Sequence, residues 1–336
     1  MAKQKKTMKM KKIYIVSMLV ILLVAFSAFS FAGCTKADYT VGITQFLPHG
    51  ALDKANQGFQ TELNRLMAEV GKTVKYDYNN ANKDMANNGT IAQKLVDKKV
   101  DLIYAIATPS AQAAAAATKS IPIIGNAITD LVDAGLVNSN EVPGTNVSGC
   151  SDMNPVAIQV ELMKELVPEA TKFGVLYTSS ESNSKVQADM VVAKAAELGI
   201  ETVVVAMTEE LSDIGNAISS LKNQGAQCIY IPTDNTLAEA AASVHSANMN
   251  GGYNLPIVCG EVSMNDLCGI ATYGIDYYAL GVQAAKMAFD VLYNNKNIST
   301  MPIFSQTEGF ILSVNQSVAQ QIGFSIPQSV LDKVAD

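Results

Sequence analysis

Residues 101–124 read DLIYAIATPSAQAAAAATKSIPII. An apolar run, Asp101–Ile106, breaks at Ala107-Thr108-Pro109-Ser110; an alanine-rich stretch follows, and Ile121–Gly125 resumes the apolar pattern. The spacing predicts a buried strand, a sharp turn, a helix and a second strand. Proline suits the first helical position, whose N–H has no intrahelical partner, and Thr108 stands where an N-cap is expected. The free N–H groups and positive end of such a helix face the strand's carboxyl edge. In an open α/β sheet, ligands bind at that edge.

The alternation continues on both sides of this stretch. Upstream it predicts strand Tyr39–Thr44, helix Leu52–Val70, strand Val74–Tyr78, an Asn-rich loop over 79–89 and helix Thr90–Lys99. Downstream the pattern loosens from Thr129 to Val147 and restarts with helix Pro155–Leu166, strand Phe173–Tyr177, helix Asn183–Leu198 and strand Thr202–Ala206. Helix Leu211–Asn223, strand Cys228–Ile231, helix Thr236–Ala247 and strand Ile257–Cys259 complete a second run. A last helix, Tyr277–Tyr293, and a strand, Gly309–Val314, are too little for a third domain and must be shared between the two runs. The expected fold class is therefore α/β, with two Rossmann-like αβα lobes joined by a multi-stranded hinge and a cleft between them. The expected division is 1–33 as a signal peptide, 34–148 with 271–304 as the first lobe, and 149–270 with 305–336 as the second.

Six lysines crowd positions 3–12, and an uncharged apolar run follows to Ala32. About 20 such residues could span a bilayer as a retained anchor. The run ends, however, in Phe31-Ala32-Gly33-Cys34, which resembles a bacterial lipobox; that reading has the signal cleaved before Cys34 and Cys34 lipidated. Without residues 1–33 the chain carries 18 basic and 31 acidic residues, a net charge of −13. Such a balance argues against nucleic acid as a partner and against an electrostatic grip on anionic lipid.

Cys150, Cys228, Cys259 and Cys268 sit in or beside apolar runs. An exported chain can form disulfides, and Cys259 with Cys268 is the plausible local pair; small buried thiols fit equally well. There is no C-x-x-C or Cys/His cluster, and the two histidines, His49 and His245, are far apart, so no metal and no cofactor is expected. G-x-S-x-G, H-E-x-x-H and the phosphate-binding G-x-x-x-x-G-K-[ST] are all absent, so no catalytic activity is expected.

Several motifs, taken together, resemble a known family. They are VGITQF (41–46), the opening stretch from Asp101 to Ala116, VSGCSDM (147–153), YTSSESNS (177–184), YIPTDN (230–235) and ATYGIDYY (271–278). The chain is similar to the solute-binding lipoproteins of ABC transporters with a type I periplasmic-binding fold, and to the branch binding tryptophan, tyrosine or phenylalanine. The resemblance implies a two-lobed clamp, acting as a monomer held by a lipid anchor on the outer face of the cytoplasmic membrane or in the periplasm. It would deliver a small ligand to a permease subunit served by a separate ATPase. Another amino acid, a heterocyclic metabolite or a sensory role remain alternatives.

An amino acid needs donors for its carboxylate, acceptors for its ammonium and room for its side chain. Arg65, the chain's only arginine, falls inside a predicted helix, so backbone N–H groups and hydroxyls must replace a guanidinium clamp. The candidates are Thr108, Pro109 and Ser110 in the first lobe and Ser179, Ser180, Asn183 and Ser184 in the second. Candidate ammonium acceptors are Asp130, Asp234 (with Thr233 before it), Glu261 and Asp276. Gln45, Phe46 and Tyr273 are the candidates for the side-chain pocket; Tyr277 also falls at a lobe crossover, and Tyr104, Tyr177 and Tyr230 read as core.

Overall fold

The computed structural model describes residues 37–334; the signal segment and Cys34 lie outside them. The chain opens with β1 (Tyr39–Gln45), α1 (Gly50–Glu69), β2 (Val74–Asn80), α2 (Met85–Asp97), β3 (Leu102–Ile106), α3 (Thr108–Ala117), β4 (Ile123–Ile128) and β5 (Val147–Ser151). It then crosses to α4 (Val156–Leu166), β6 (Lys172–Thr178), α5 (Ser182–Glu197), β7 (Glu201–Met207), α6 (Ile214–Asn223) and β8 (Cys228–Ile231). The second run ends with α7 (Asn235–Glu239), α8 (Ala241–Asn250), β9 (Ile257–Cys259), α9 (Val262–Asn265) and β10 (Ala271–Gly274). Helix α10 (Tyr277–Leu292) and strand β11 (Phe304–Ser305) return to the first sheet, and β12 (Ile311–Val314) joins the second.

Two six-stranded sheets result, ordered β11-β5-β4-β3-β1-β2 and β12-β10-β9-β8-β6-β7. Every pairing is parallel except β10 with β12. The inner strands are largely buried because helices cover both faces, while the edge strands β2, β7, β11 and β12 are half-buried or exposed. Strands β3, β4, β8 and β9 are buried along their whole length. In the first lobe Phe59 of α1 stacks on Tyr104 of β3 with ring centroids 3.7 Å apart. The Tyr104 hydroxyl donates to the Ala55 carbonyl at 3.2 Å and accepts from Asn126 Nδ2 at 2.6 Å, so this phenol is buried with both roles filled.

Helices α1 and α10 touch backbone to backbone. A Cβ at Gly58 would lie 2.1 Å from the Tyr278 carbonyl oxygen, and one at Gly281 would lie 2.0 Å from that of Ala55. Helix α10 thus fastens to the first lobe although β10, just before it, belongs to the second sheet.

Several expectations need correction. Helix α2 begins at Met85 rather than Thr90, because the Asp84 carboxylate caps it by accepting from Asn87 N at 2.9 Å. The helix expected over Thr236–Ala247 is two helices that meet at Ala240. Strand β5 starts where the loosened stretch ends, and its VSGCS sequence is small and polar, without an apolar alternation to mark it. A division at 148/149 would cut β5, which pairs along its length with β4. Residues 271–274, expected in the first lobe, pair with β9 and β12 of the second sheet. The crossovers therefore lie near 152–155, 275–276 and 306–310.

Candidate functional site

The carboxyl ends of the two sheets face each other. From the first lobe come the loop after β1, the start of α3 and the end of β4; from the second come the turns after β6, β8 and β9. Residues from both line a central polar cavity of about 10 Å3, with Thr108, Ala127 and Thr129 on one side and Asn183, Thr233, Asp234 and Glu261 on the other. Asp152 and Tyr277, at two crossovers, complete its wall with His49, Leu52, Asn235 and Ala238. Such a volume holds one water-sized group. A side compartment of about 230 Å3 shares Thr108 and Asn183 with it and is lined by Phe46, Met85, Pro109, Ser180 and Thr236, among others.

The lobes are in contact across this cleft. His49 Nε2 lies 3.4 Å from Asn235 Oδ1, the Thr129 and Thr233 hydroxyls are 3.2 Å apart, and Lys83 Nζ donates to the Glu209 carbonyl at 3.3 Å.

Thr108 is not the N-cap of α3. It is the first helical residue, the cap position belongs to Ala107, and no side chain caps this end. Ala107 has φ 77° and Ala127, at the end of β4, has φ 55°. Non-glycine residues in that region cost about 1–3 kcal/mol each and cluster at functional sites. Two such turns at adjacent strand ends bring Thr108 and Thr129 to the cavity.

Three carboxylates line the cavity, and among the described residues no lysine or arginine does. Asp152 Oδ1 accepts from the Thr129 hydroxyl at 3.2 Å and its Oδ2 from the Tyr277 hydroxyl at 2.8 Å. Glu261 caps α9, accepting from Ser263 N and Met264 N at 2.6 Å each. Asp234 caps α7 through Leu237 N at 2.9 Å and also accepts from Thr178 N at 2.6 Å and the Thr178 hydroxyl at 2.9 Å. A carboxylate offers about four lone-pair positions, so Asp152 and Glu261 each keep about two and Asp234 about one. Burial raises the pKa of all three, that of Glu261 to about 7. Asp234 rises to about 7 because burial is reinforced by the nearby Glu181 charge. Unpaired buried anions are costly, which is why burial favours the protonated form of all three acids.

The remaining candidates lie elsewhere. Gln45 is buried but donates to Asp53 and the Leu47 carbonyl. Ser110 donates to Asn88 behind α3, and Ser184 is buried beside Asn183. Asp130 caps its own turn through Val132 N and Asp133 N, and Asp276 is the exposed N-cap of α10. Ser179 is exposed, and Tyr273 packs against the second lobe's core. Thr108, Asn183, Thr233, Asp234 and Glu261 meet at the central cavity; Phe46, Pro109 and Ser180 meet in the side compartment.

The reading of the residues passed over His49, Thr129, Asp152 and Asn235, and Glu181 behind them. Glu181 Oε2 accepts from Asn235 N at 2.8 Å and Asn235 Nδ2 at 2.7 Å, while its Oε1 accepts from Thr236 N at 2.8 Å. Asp152 follows a strand that the pattern did not mark, which hid its place at a sheet edge. Among the described residues no group of three or more His, Cys, Asp or Glu could hold a metal ion, and no helix is long and apolar enough to cross a membrane. All four described cysteines are free and buried, with the Cys259 and Cys268 sulfurs 3.7 Å apart.

Two α/β lobes meeting at a buried acidic cavity give the type I periplasmic-binding fold. The chain belongs to the ABC transporter substrate binding protein family, whose pattern matches residues 40–336. It is 41% identical over 279 residues to a tyrosine-binding protein of Clostridioides difficile strain R20291, covering 83% of this chain and 79% of that one. A Streptococcus pneumoniae ABC domain solved in complex with L-Trp is 36% identical with a TM-score of 0.79, over 87% of this chain and 98% of that one. The ligand-free, open structure of a Clostridium difficile substrate-binding protein with adhesive properties is also 36% identical; its TM-score is 0.65, over 86% and 96%. At equal identity the arrangement here is nearer the L-Trp complex than the open form.

Proposed function

We propose that the chain is the lipid-anchored, extracytoplasmic receptor of an ABC importer and that its ligand is an aromatic amino acid. The observation that carries this reading is the cation-free cluster of Asp152, Asp234 and Glu261 in a cavity the size of one ammonium group. The ligand's ammonium sits there, between Asp152 and Glu261. Its carboxylate takes the N-terminus of α3 and the Thr108 and Asn183 side chains, which stand between the two compartments. Its ring lies against Phe46 and Pro109 in the side compartment. The relatives that bind tyrosine and L-Trp support this choice of ring. Because such a ligand touches both lobes, it binds the closed form better than the open one and shifts the population toward closure. The closed form then docks on the permease, whose ATPase is a separate subunit.

The chain contains no tryptophan, so added L-Trp is the sole indole fluorophore. Its emission should shift on binding, and at 100 times its Kd it should stabilise the protein by about 2.7 kcal/mol. A screen in which tryptophan, tyrosine and phenylalanine leave the melting temperature unmoved, while another solute raises it, would overturn the choice of ligand.

A further inference from the structure

We infer that His49 is a third acceptor for the ligand's ammonium, and that Glu181, acting through Asn235, sets the tautomer that makes it one. The inference rests on the reading of the cavity as an ammonium site. An ammonium group has three N–H donors and therefore asks for three acceptors. Asp152 and Glu261 supply two. Asp234 is largely occupied by Thr178 and Leu237. The same cavity is lined by His49, whose Nδ1 is shielded from solvent and has no hydrogen-bond partner among the described residues.

The direction of each hydrogen bond leading to His49 is fixed by chemistry. Both Glu181 carboxyl oxygens accept backbone N–H groups, Oε2 from Asn235 N and Oε1 from Thr236 N, and the Asn235 side-chain atom 2.7 Å from Oε2 is its donating NH2 group. The amide oxygen of Asn235 therefore points to His49, and His49 Nε2 at 3.4 Å must be the donor. A neutral imidazole that donates from Nε2 carries a lone pair on Nδ1. Burial lowers the His49 pKa and keeps the ring neutral, although Glu181 and Asp53 act the other way. An unpartnered lone pair thus belongs to a residue that lines the cavity, where a protonated ring would add a repelling charge instead.

The test uses L-Trp, its analogue indole-3-propionate, which lacks the ammonium, and protein labelled with 15N-histidine. Only two histidines exist, so a His245→Gln variant assigns the His49 signals. In the free protein at neutral pH, His49 Nδ1 should resonate as an unprotonated ring nitrogen and Nε2 as a protonated one. L-Trp should move the Nδ1 signal toward that of a hydrogen-bonded acceptor, and indole-3-propionate should not. By calorimetry His49→Phe should weaken L-Trp binding about tenfold or more, as loss of a hydrogen bond to a charged group does, while His49→Gln restores part of it. Asn235→Leu should let the Nδ1–H tautomer appear in the free protein. A proton on Nδ1 in the wild-type protein, or an Nδ1 signal that L-Trp leaves in place, overturns the inference. If L-Trp itself does not bind the wild-type chain, the choice of ligand fails first, and the free-protein spectrum still decides the tautomer.

Discussion

Seating an ammonium beside these carboxylates must expel protons. Burial raises the Glu261 pKa to about 7, and burial together with the Glu181 charge raises that of Asp234 to about 7, so protons are held on this cluster near neutral pH. Asp152 is also raised. The groups that face them are His49, Tyr277, Glu181 and, more distantly, Lys54, and none is a cation held against them in the cavity. A bound ammonium favours the charged form and pulls these pKa values down. Near pH 7 L-Trp should therefore release protons from this cluster. By linkage the association constant should rise with pH through neutrality, about tenfold per pH unit for each proton released, and level off once the cluster is ionised. Calorimetry in buffers of different ionisation enthalpy measures the proton count directly. Indole-3-propionate, with no ammonium, should release none. Zero release by L-Trp between pH 6 and 8 would refute the reasoning, because it would mean that the ammonium rests away from this cluster. The unliganded protein should show the matching trend in stability. Acids whose folded pKa lies above the unfolded value bind more protons when folded, so their contribution is complete below about pH 4 and is lost as pH rises through about 7.

Thr108→Val should weaken amino-acid binding about tenfold with little change in melting temperature, since the hydroxyl caps nothing; a drop in stability alone would return it to a structural role. Asp234→Ala unpairs Thr178 N and Leu237 N and should cost about 1–3 kcal/mol in urea unfolding. Gly281→Ala places a methyl 2.0 Å from the Ala55 carbonyl and should destabilise by about 1–3 kcal/mol, or more if α1 and α10 cannot separate. A chemical melt with unchanged midpoint would show that the helices do not touch there in solution.

The legible part of the chain was the part with strong periodicity. Strands such as Leu102–Ile106 and Cys228–Ile231 are apolar along their length, and helices such as Ile214–Asn223 carry an apolar stripe (Ile214, Ala217, Ile218, Leu221), so layers and lobes followed. The short edge strand Phe304–Ser305 and the polar VSGCS of β5 owe their strand state to their neighbours, which no local pattern encodes. At the site, turns after strong strands pointed to Thr108, Asn183 and Asp234. Asp130 and Asp276 have the same local signature, an acid at a helix or turn start, and spend it on capping. Asp152 and His49 were obscure for the converse reason. Their roles come from residues more than a hundred positions away, Tyr277 for one and Asn235 for the other.

The repeated crossing between lobes has a consequence for how the chain assembles. Emerging from its N-terminus, it exposes α1 early, but the helix that fits the Gly58 face of α1 begins at Tyr277, and the strand that completes the same sheet beyond β5 begins at Phe304. The first lobe therefore cannot finish folding until the second has almost wholly appeared. Contacts of such long sequence separation form late and leave apolar surface open meanwhile. Neither lobe is a unit that a single cut could release, and a truncation after β10 would leave both without parts of their own cores.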